Sequence, residues 1–170
     1  MPYNKATFLL MYLRKLLQVN PSAVKRTYHD KLKKEWSKAW RSSKRGERAM
    51  HMDGTTPSTK FINAISNKEI SCKMASHISQ LRLSHTPINQ FLKCIRMVDS
   101  TRCPACREEE ETIEHYLLAC PSHAHERWAL NRQARKIRKQ LSLKTLLGEQ
   151  KMTTPLAKYI EVTQRFKQEW

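Results

Sequence analysis

Cys103, Cys106, His115 and Cys120 fall within 18 residues, separated by two, eight and four positions. Three thiolates and an imidazole close a tetrahedral shell around Zn²⁺ and leave no coordination position open, which is the make-up of a structural site. Cys103-Pro104-Ala105-Cys106 is a short knuckle that presents two sulfurs to one ion. Thr112 suits a helix N-cap with Glu114 in the first turn, so His115 is expected near the start of a helix. On an unbroken helix, residues five apart point roughly 140° away from each other. Cys120 therefore reaches the same ion only if the helix fails there, and Pro121 biases Cys120 out of helical geometry. The metal-free alternative is three buried thiols beside a surface histidine, but three of five cysteines gathered around one histidine weighs against it. His123 and His125 stand nearby as spare ligands. Cys72 and Cys94 read as small core residues.

An ion-stapled element needs a frame, and the composition says of what kind. With 170 residues and only three glycines, the chain is dense in Lys, Arg, Leu, Gln, Met and Ala, which favours helices. Its length suits one ordinary domain, or a small domain with an extension. The odd number of cysteines leaves any complete disulfide framework with a remainder, so a reduced, intracellular compartment is expected, nuclear or cytoplasmic. The apolar run Phe8 to Leu13 is too short for a signal peptide, and no stretch reaches membrane-spanning length. Residues 1–29 lack acidic side chains, as in a mitochondrial transit peptide, although an ordinary basic helix is the preferred reading.

Periodicity sets out three segments: 1–19, an apolar and basic helix; 20–56, a long basic helix and linker; and 57–170, a helical domain holding the zinc element 103–120. Phe8 to Leu17 suggests the first helix, ended by Asn20-Pro21. From Ser22 to about Ser43, Val24, Tyr28, Leu32, Trp36 and Trp40 recur every four residues on one helix face. Polar punctuation from Gly46 to Pro57 reads as the linker. Beyond it, Phe61, Ile62 and Ile65 mark a short helix, and Ile70, Met74, Ile78 and Leu81 mark a longer one. His85-Thr86-Pro87 turns the chain ahead of Ile88, Phe91, Leu92 and Ile95. Leu130, Ala134, Ile137 and Leu141 line a helix over 127–140, and Leu143 to Leu147 stops at Gly148. Thr154-Pro155 opens the last helix, whose buried side is Leu156, Tyr159, Ile160, Phe166 and Trp170. The fold class is all-α, with a zinc-stapled knuckle and a basic N-terminal helical extension.

The formal net charge of +17 makes a polyanion the default partner, nucleic acid before a membrane surface. Glu108 to Glu111 and Glu114 make the finger acidic, so it would repel phosphates and serve instead to pin helices. DNA or RNA would have to meet the two basic helices, through Lys25, Arg26, Lys33, Lys34, Arg41, Lys44 and Arg45 on one, and Arg132, Arg135, Lys136, Arg138 and Lys139 on the other. Trp36 and Trp40 could stack on bases, but their place in the apolar row favours core packing. No phosphate-cradling glycine loop or nucleophile elbow is present, so no catalysis is expected. A scaffold for an acidic protein partner is the alternative, and a nuclease around His85 a distant one.

The run Ser79-Gln80-Leu81-Arg82-Leu83-Ser84-His85-Thr86-Pro87-Ile88-Asn89, followed by Val98-Asp99-Ser100, the Cys-Pro-x-Cys knuckle, Glu-x-x-x-His and Cys-Pro, resembles a segment of fungal non-LTR (LINE-like) retrotransposon polyproteins. The resemblance spans roughly residues 20–170 and is most specific over 80–121. It implies the region C-terminal to the reverse transcriptase and RNase H domains, with a CCHC zinc module whose ligands map onto Cys103, Cys106, His115 and Cys120. Other parts of the retrotransposon machinery are then expected partners. Leu83-Ser84 stands where the family often has threonine-glycine, Arg107 where glycine often follows the knuckle, and Ser122-His123 where an aromatic often follows. These departures bear on local turns rather than on the ligands. The polymerase and RNase H carboxylates have no counterpart here, which implies a free-standing tail without catalysis of its own.

Overall fold

The computed structural model describes residues 21–43, 47–53, 59–66 and 69–167. The expected first helix, Lys44, Arg45 and Trp170 lie outside the described residues. The chain divides into two compact units, Met1–Ser43 and Lys44–Trp170.

In the first unit the described residues form α1 (Pro21–Ser42). Proline is tolerated in a first helical turn because its missing N–H would have had no partner there. The row at every fourth residue is a single face, as the spacing requires, yet Val24, Tyr28, Leu32 and Trp36 are exposed. Core packing of Trp36 is thus not observed, and Trp40 is only half-buried, its ring centroid 6.3 Å from that of Trp36. A helix buries a stripe only against a second apolar surface, and the described residues of this unit offer none.

Among the described residues the regular structure of the second unit is helical, and its only β pairing is an isolated bridge between Arg102 and Glu110. Its helices are α2 (Glu47–Asp53), α3 (Thr59–Ile65), α4 (Cys72–Leu83), α5 (Asn89–Cys94), α6 (Ala124–Lys136), α7 (Leu143–Gly148) and α8 (Thr153–Thr163). The last of these is central: α6 and α4 both pack along α8, while α2 lies against α4 and α7. Ile78 and Leu81 from α4, Leu130 and Ala134 from α6, and Leu156 and Ile160 from α8 meet in one buried cluster. Each large apolar side chain sealed there contributes about 1.5–3 kcal/mol. The expected faces of α4, α5 and α8 hold, except that Ile95, at the end of α5, is exposed.

The polar stretch expected to be a linker contains α2. Met52 enters the core, and Asp53 Oδ1 accepts a 2.7 Å hydrogen bond from Arg82 of α4. Arg82 is itself buried, donates to the Leu147 carbonyl of α7, and lies 4.0 Å over the Phe61 ring of α3. One guanidinium thereby ties four helices, a role its planar donor fork suits better than a lysine would. Gly148 is needed where it stands, because a Cβ there would lie 2.7 Å from the Met52 carbonyl oxygen.

Helix ends depart most from the sequence reading. Ser84, Arg96 and Arg138 adopt left-handed backbone, with φ of 60°, 59° and 56°. After each, the chain returns a hydrogen bond to the last turn: His85 N to Gln80 O, Met97 N to Leu92 O and Lys139 N to Ala134 O. This is the Schellman termination, built without the glycine that usually marks it. α6 therefore stops at Lys136, and Arg138 and Lys139 lie beyond the helix rather than on it. Cys72 and Cys94, expected in the core, are both exposed at helix ends.

Ser84 carries a Cβ in a conformation that costs a non-glycine residue about 1–2 kcal/mol. Ser84→Gly is expected to raise unfolding stability in urea by about 1 kcal/mol, and Gly148→Ala to lower it by about 1–3 kcal/mol through the clash with Met52.

Candidate metal centre

The knuckle begins where Arg102 pairs with Glu110, and Cys103 N–H donates to the Glu109 carbonyl at 2.8 Å. Arg107 N–H closes the turn onto the Cys103 carbonyl at 2.8 Å, and Arg107 takes left-handed backbone, φ 62°, where a glycine would sit without strain. The second pair of ligands comes from the following helix. The Thr112 hydroxyl accepts from His115 N–H at 2.9 Å, the N-cap bond that the sequence suggests.

That helix then widens into a π-turn over His115–Ala119. Cys120 N–H donates to the His115 carbonyl at 2.7 Å, five residues back, and Cys120 leaves helical geometry with ψ 120°. The helix fails at Cys120 as Pro121 requires. What the sequence did not indicate is the wider turn before it, which closes over the five-residue gap between the two ligands.

All four ligand atoms lie within 4.8 Å of one another. Cys103 Sγ and Cys120 Sγ are 3.8 Å apart, and Cys106 Sγ is 3.4 Å from His115 Nε2. A tetrahedral ion with Zn–S bonds of about 2.3 Å sets sulfur–sulfur edges of about 3.8 Å. The donor set and its spacing thus fit Zn²⁺. His115 offers Nε2 to the group while its Nδ1 lies 2.9 Å from Glu109 Oε2. A carboxylate behind a ligand histidine fixes the ring orientation and leaves the other nitrogen to the metal.

The three thiols are not equivalent. Backbone amides of Glu109 and Glu108 aimed at the Cys106 sulfur bring its pKa down to about 7, whereas burial pushes Cys120 up to about 11. Cys120 is fully buried, and Cys103 and His115 nearly so. Zinc binding must therefore expel protons mainly against the burial of Cys120, and its divalent charge compensates sulfurs that would not otherwise ionise together.

Three polar residues to which the sequence reading assigned no such role hold this assembly. Arg127, counted there within a basic helix, is buried and donates to the Cys120 carbonyl. Pro121 has no N–H to offer the Tyr116 carbonyl, and the Tyr159 hydroxyl of α8 supplies that bond at 2.6 Å. Glu111 is not part of a phosphate-repelling surface: it is 1% exposed, and it accepts from Arg165 Nη2 at 2.7 Å and from Asn89 N–H at 2.6 Å. Nothing in an acidic run distinguishes the one glutamate that turns inward. His123 is buried with its ring against Tyr116 and Tyr159, outside the ligand group, and burial lowers its pKa. His125 is exposed.

The basic residues named from sequence separate into three sets. Lys25, Arg26, Lys33, Lys34 and Arg41 are exposed on α1, and Arg132, Arg135 and Lys136 are exposed on α6. Arg138 and Lys139 are exposed past the end of α6, with Lys139 paired to Glu149. No helix among the described residues is long and apolar enough to cross a membrane.

Residues 36–128, more than half of the chain, match the family described as zinc-binding in reverse transcriptase. No curated protein and no solved structure matches the chain.

Removing the metal should cost the second unit its order. Cys103→Ser, or dialysis against EDTA, is expected to lower the melting temperature strongly, while Cys72→Ser at an exposed helix end leaves unfolding stability within about 0.5 kcal/mol of the parent. Equal melting of the two variants would contradict a structural ion. Glu109→Ala should weaken zinc binding by about 10–100-fold in a competition titration with a chromophoric chelator, through loss of the His115 orienting bond.

Proposed function

Because the chain belongs to the family of zinc-binding domains in reverse transcriptase, we propose that it is a non-catalytic, zinc-stapled module that associates with nucleic acid through its basic helices. The observation that carries this reading is the set of exposed lysines and arginines on α1 and α6, none of which forms an ion pair among the described residues. Unpaired cations on a helix surface release counterions from a phosphate backbone, which gives strong, weakly sequence-specific association. The metal has no part in chemistry here: four protein ligands leave no site for water or substrate.

The run Ser79–Asn89 and the Cys-Pro-x-Cys to Cys-Pro spacing support a finer assignment, to the region after the reverse transcriptase and RNase H domains of a fungal LINE-like element. In that setting the module works inside the cell beside the polymerase and keeps the template or product strand close to it.

Fluorescence anisotropy across salt tests the proposal. With about five phosphates engaged, affinity should fall about 500-fold for a duplex and about 130-fold for a single strand between 50 and 200 mM salt. Replacing Lys33, Lys34 and Arg41 by glutamine should flatten the log–log slope. A protein that binds neither polymer in a salt-sensitive manner sinks the reading.

A further inference from the structure

Trp128 sits in the middle of α6, yet it is 61% exposed. The inward side of the same helix carries Arg127, Leu130 and Ala134, all buried, so the outward side is fixed by packing of α6 on α8. Along that outward side, Trp128, Arg132, Arg135 and Lys136 stand at positions i, i+4, i+7 and i+8, which form one stripe on a helix. All four are exposed. The Arg132 guanidinium lies 4.9 Å from the Trp128 ring centroid, a cation–π contact that holds the indole in place. No acidic side chain falls on the stripe, and none of its three cations has an ion-pair partner among the described residues.

We propose that this stripe is a platform for single-stranded nucleic acid, with a base stacked on Trp128 and the flanking phosphates held by Arg132, Arg135 and Lys136. The proposal rests on the reading above and narrows it to one residue and one form of ligand. An exposed indole offers a π face that any base can meet, and it needs no hydrogen-bond pattern. In a duplex the base faces are already stacked on each other, so only the cations can act. The stripe spans about 12 Å at 1.5 Å per residue, enough for two or three phosphates of an extended strand. Charge complementarity favours this occupant over an apolar protein surface, which would leave three guanidinium and ammonium groups facing it unpaired.

The test compares the full zinc-loaded chain with Trp128→Ala, Trp128→Leu and Trp128→Phe. Each is titrated against a fluorescein-labelled single-stranded DNA and against its duplex, at several salt concentrations. Zinc content and melting temperature are measured in parallel, and Trp128→Leu keeps apolar bulk on the helix in case the alanine variant is less stable. The expected result is about tenfold weaker single-strand binding for the alanine and leucine variants with an unchanged salt slope, retention by phenylalanine, and no change for duplex. Arg135→Ala with Lys136→Ala should instead reduce the salt slope by about 1.4. If the alanine and leucine variants bind the single strand as the parent does, while salt-sensitive binding persists, the platform is refuted and the broader reading stands. If neither DNA is bound in a salt-sensitive way, both fall.

Discussion

The hydrogen bond from Cys120 N–H to the His115 carbonyl, five residues apart, decides whether the metal site exists at all. In an ordinary helix the corresponding donor would bond four residues back, and the two ligands would face away from each other. Widening the turn and ending it at Pro121 leaves the Tyr116 carbonyl without a backbone donor, and the Tyr159 hydroxyl supplies that bond. The Cys120 carbonyl, which accepts from His123 N–H, gains a second donor in Arg127. The side-chain donors come from α8 and α6, the two helices at the centre of the second unit. Metal site and helical core are therefore one structure, since the turn that makes the ligands converge is completed by the core that the ligands in turn hold together.

Buried charge gives the unit its remaining specificity. Glu111 and Arg165, like Asp53 and Arg82, are pairs with little exposure, and each also bonds to backbone or amide groups. Such pairs add little net stability over apolar packing, because desolvation offsets most of their attraction. Their directional bonds do fix a single arrangement. Glu111 locks the end of the knuckle to the start of α5 and to the chain just after α8, so the finger cannot rotate against the helices. An acidic run beside a zinc site thus divides its work: Glu109 orients a ligand, Glu110 accepts from the Thr101 hydroxyl, and Glu111 clamps the core.

Much of this was legible in the residues. The four ligands, the Thr112 cap, the failure of the helix at Pro121, and the buried faces of α4 and α8 follow from spacing and turn chemistry. The errors at helix ends have a common origin. With three glycines in the chain, left-handed helix ends fall on Ser84, Arg96 and Arg138, none of which side-chain periodicity marks. A reading by periodicity ran α6 on to Leu141 for that reason. The segment 46–57 looked like a linker because its composition is polar, although one methionine and one aspartate suffice to seat α2 when an arginine and a core opening await them.

Ligand identity, helical class and excess positive charge were determined by the sequence alone, because they depend on residue type and on separations of a few positions. Tertiary structure decided which polar residues turn inward and which aromatics stay in water. Glu111 and Glu108 are neighbours of the same chemistry, and Trp128 lies one residue from the buried Arg127. Only the direction from which other helices approach distinguishes such neighbours, and that direction is set by contacts dozens of residues apart in the chain.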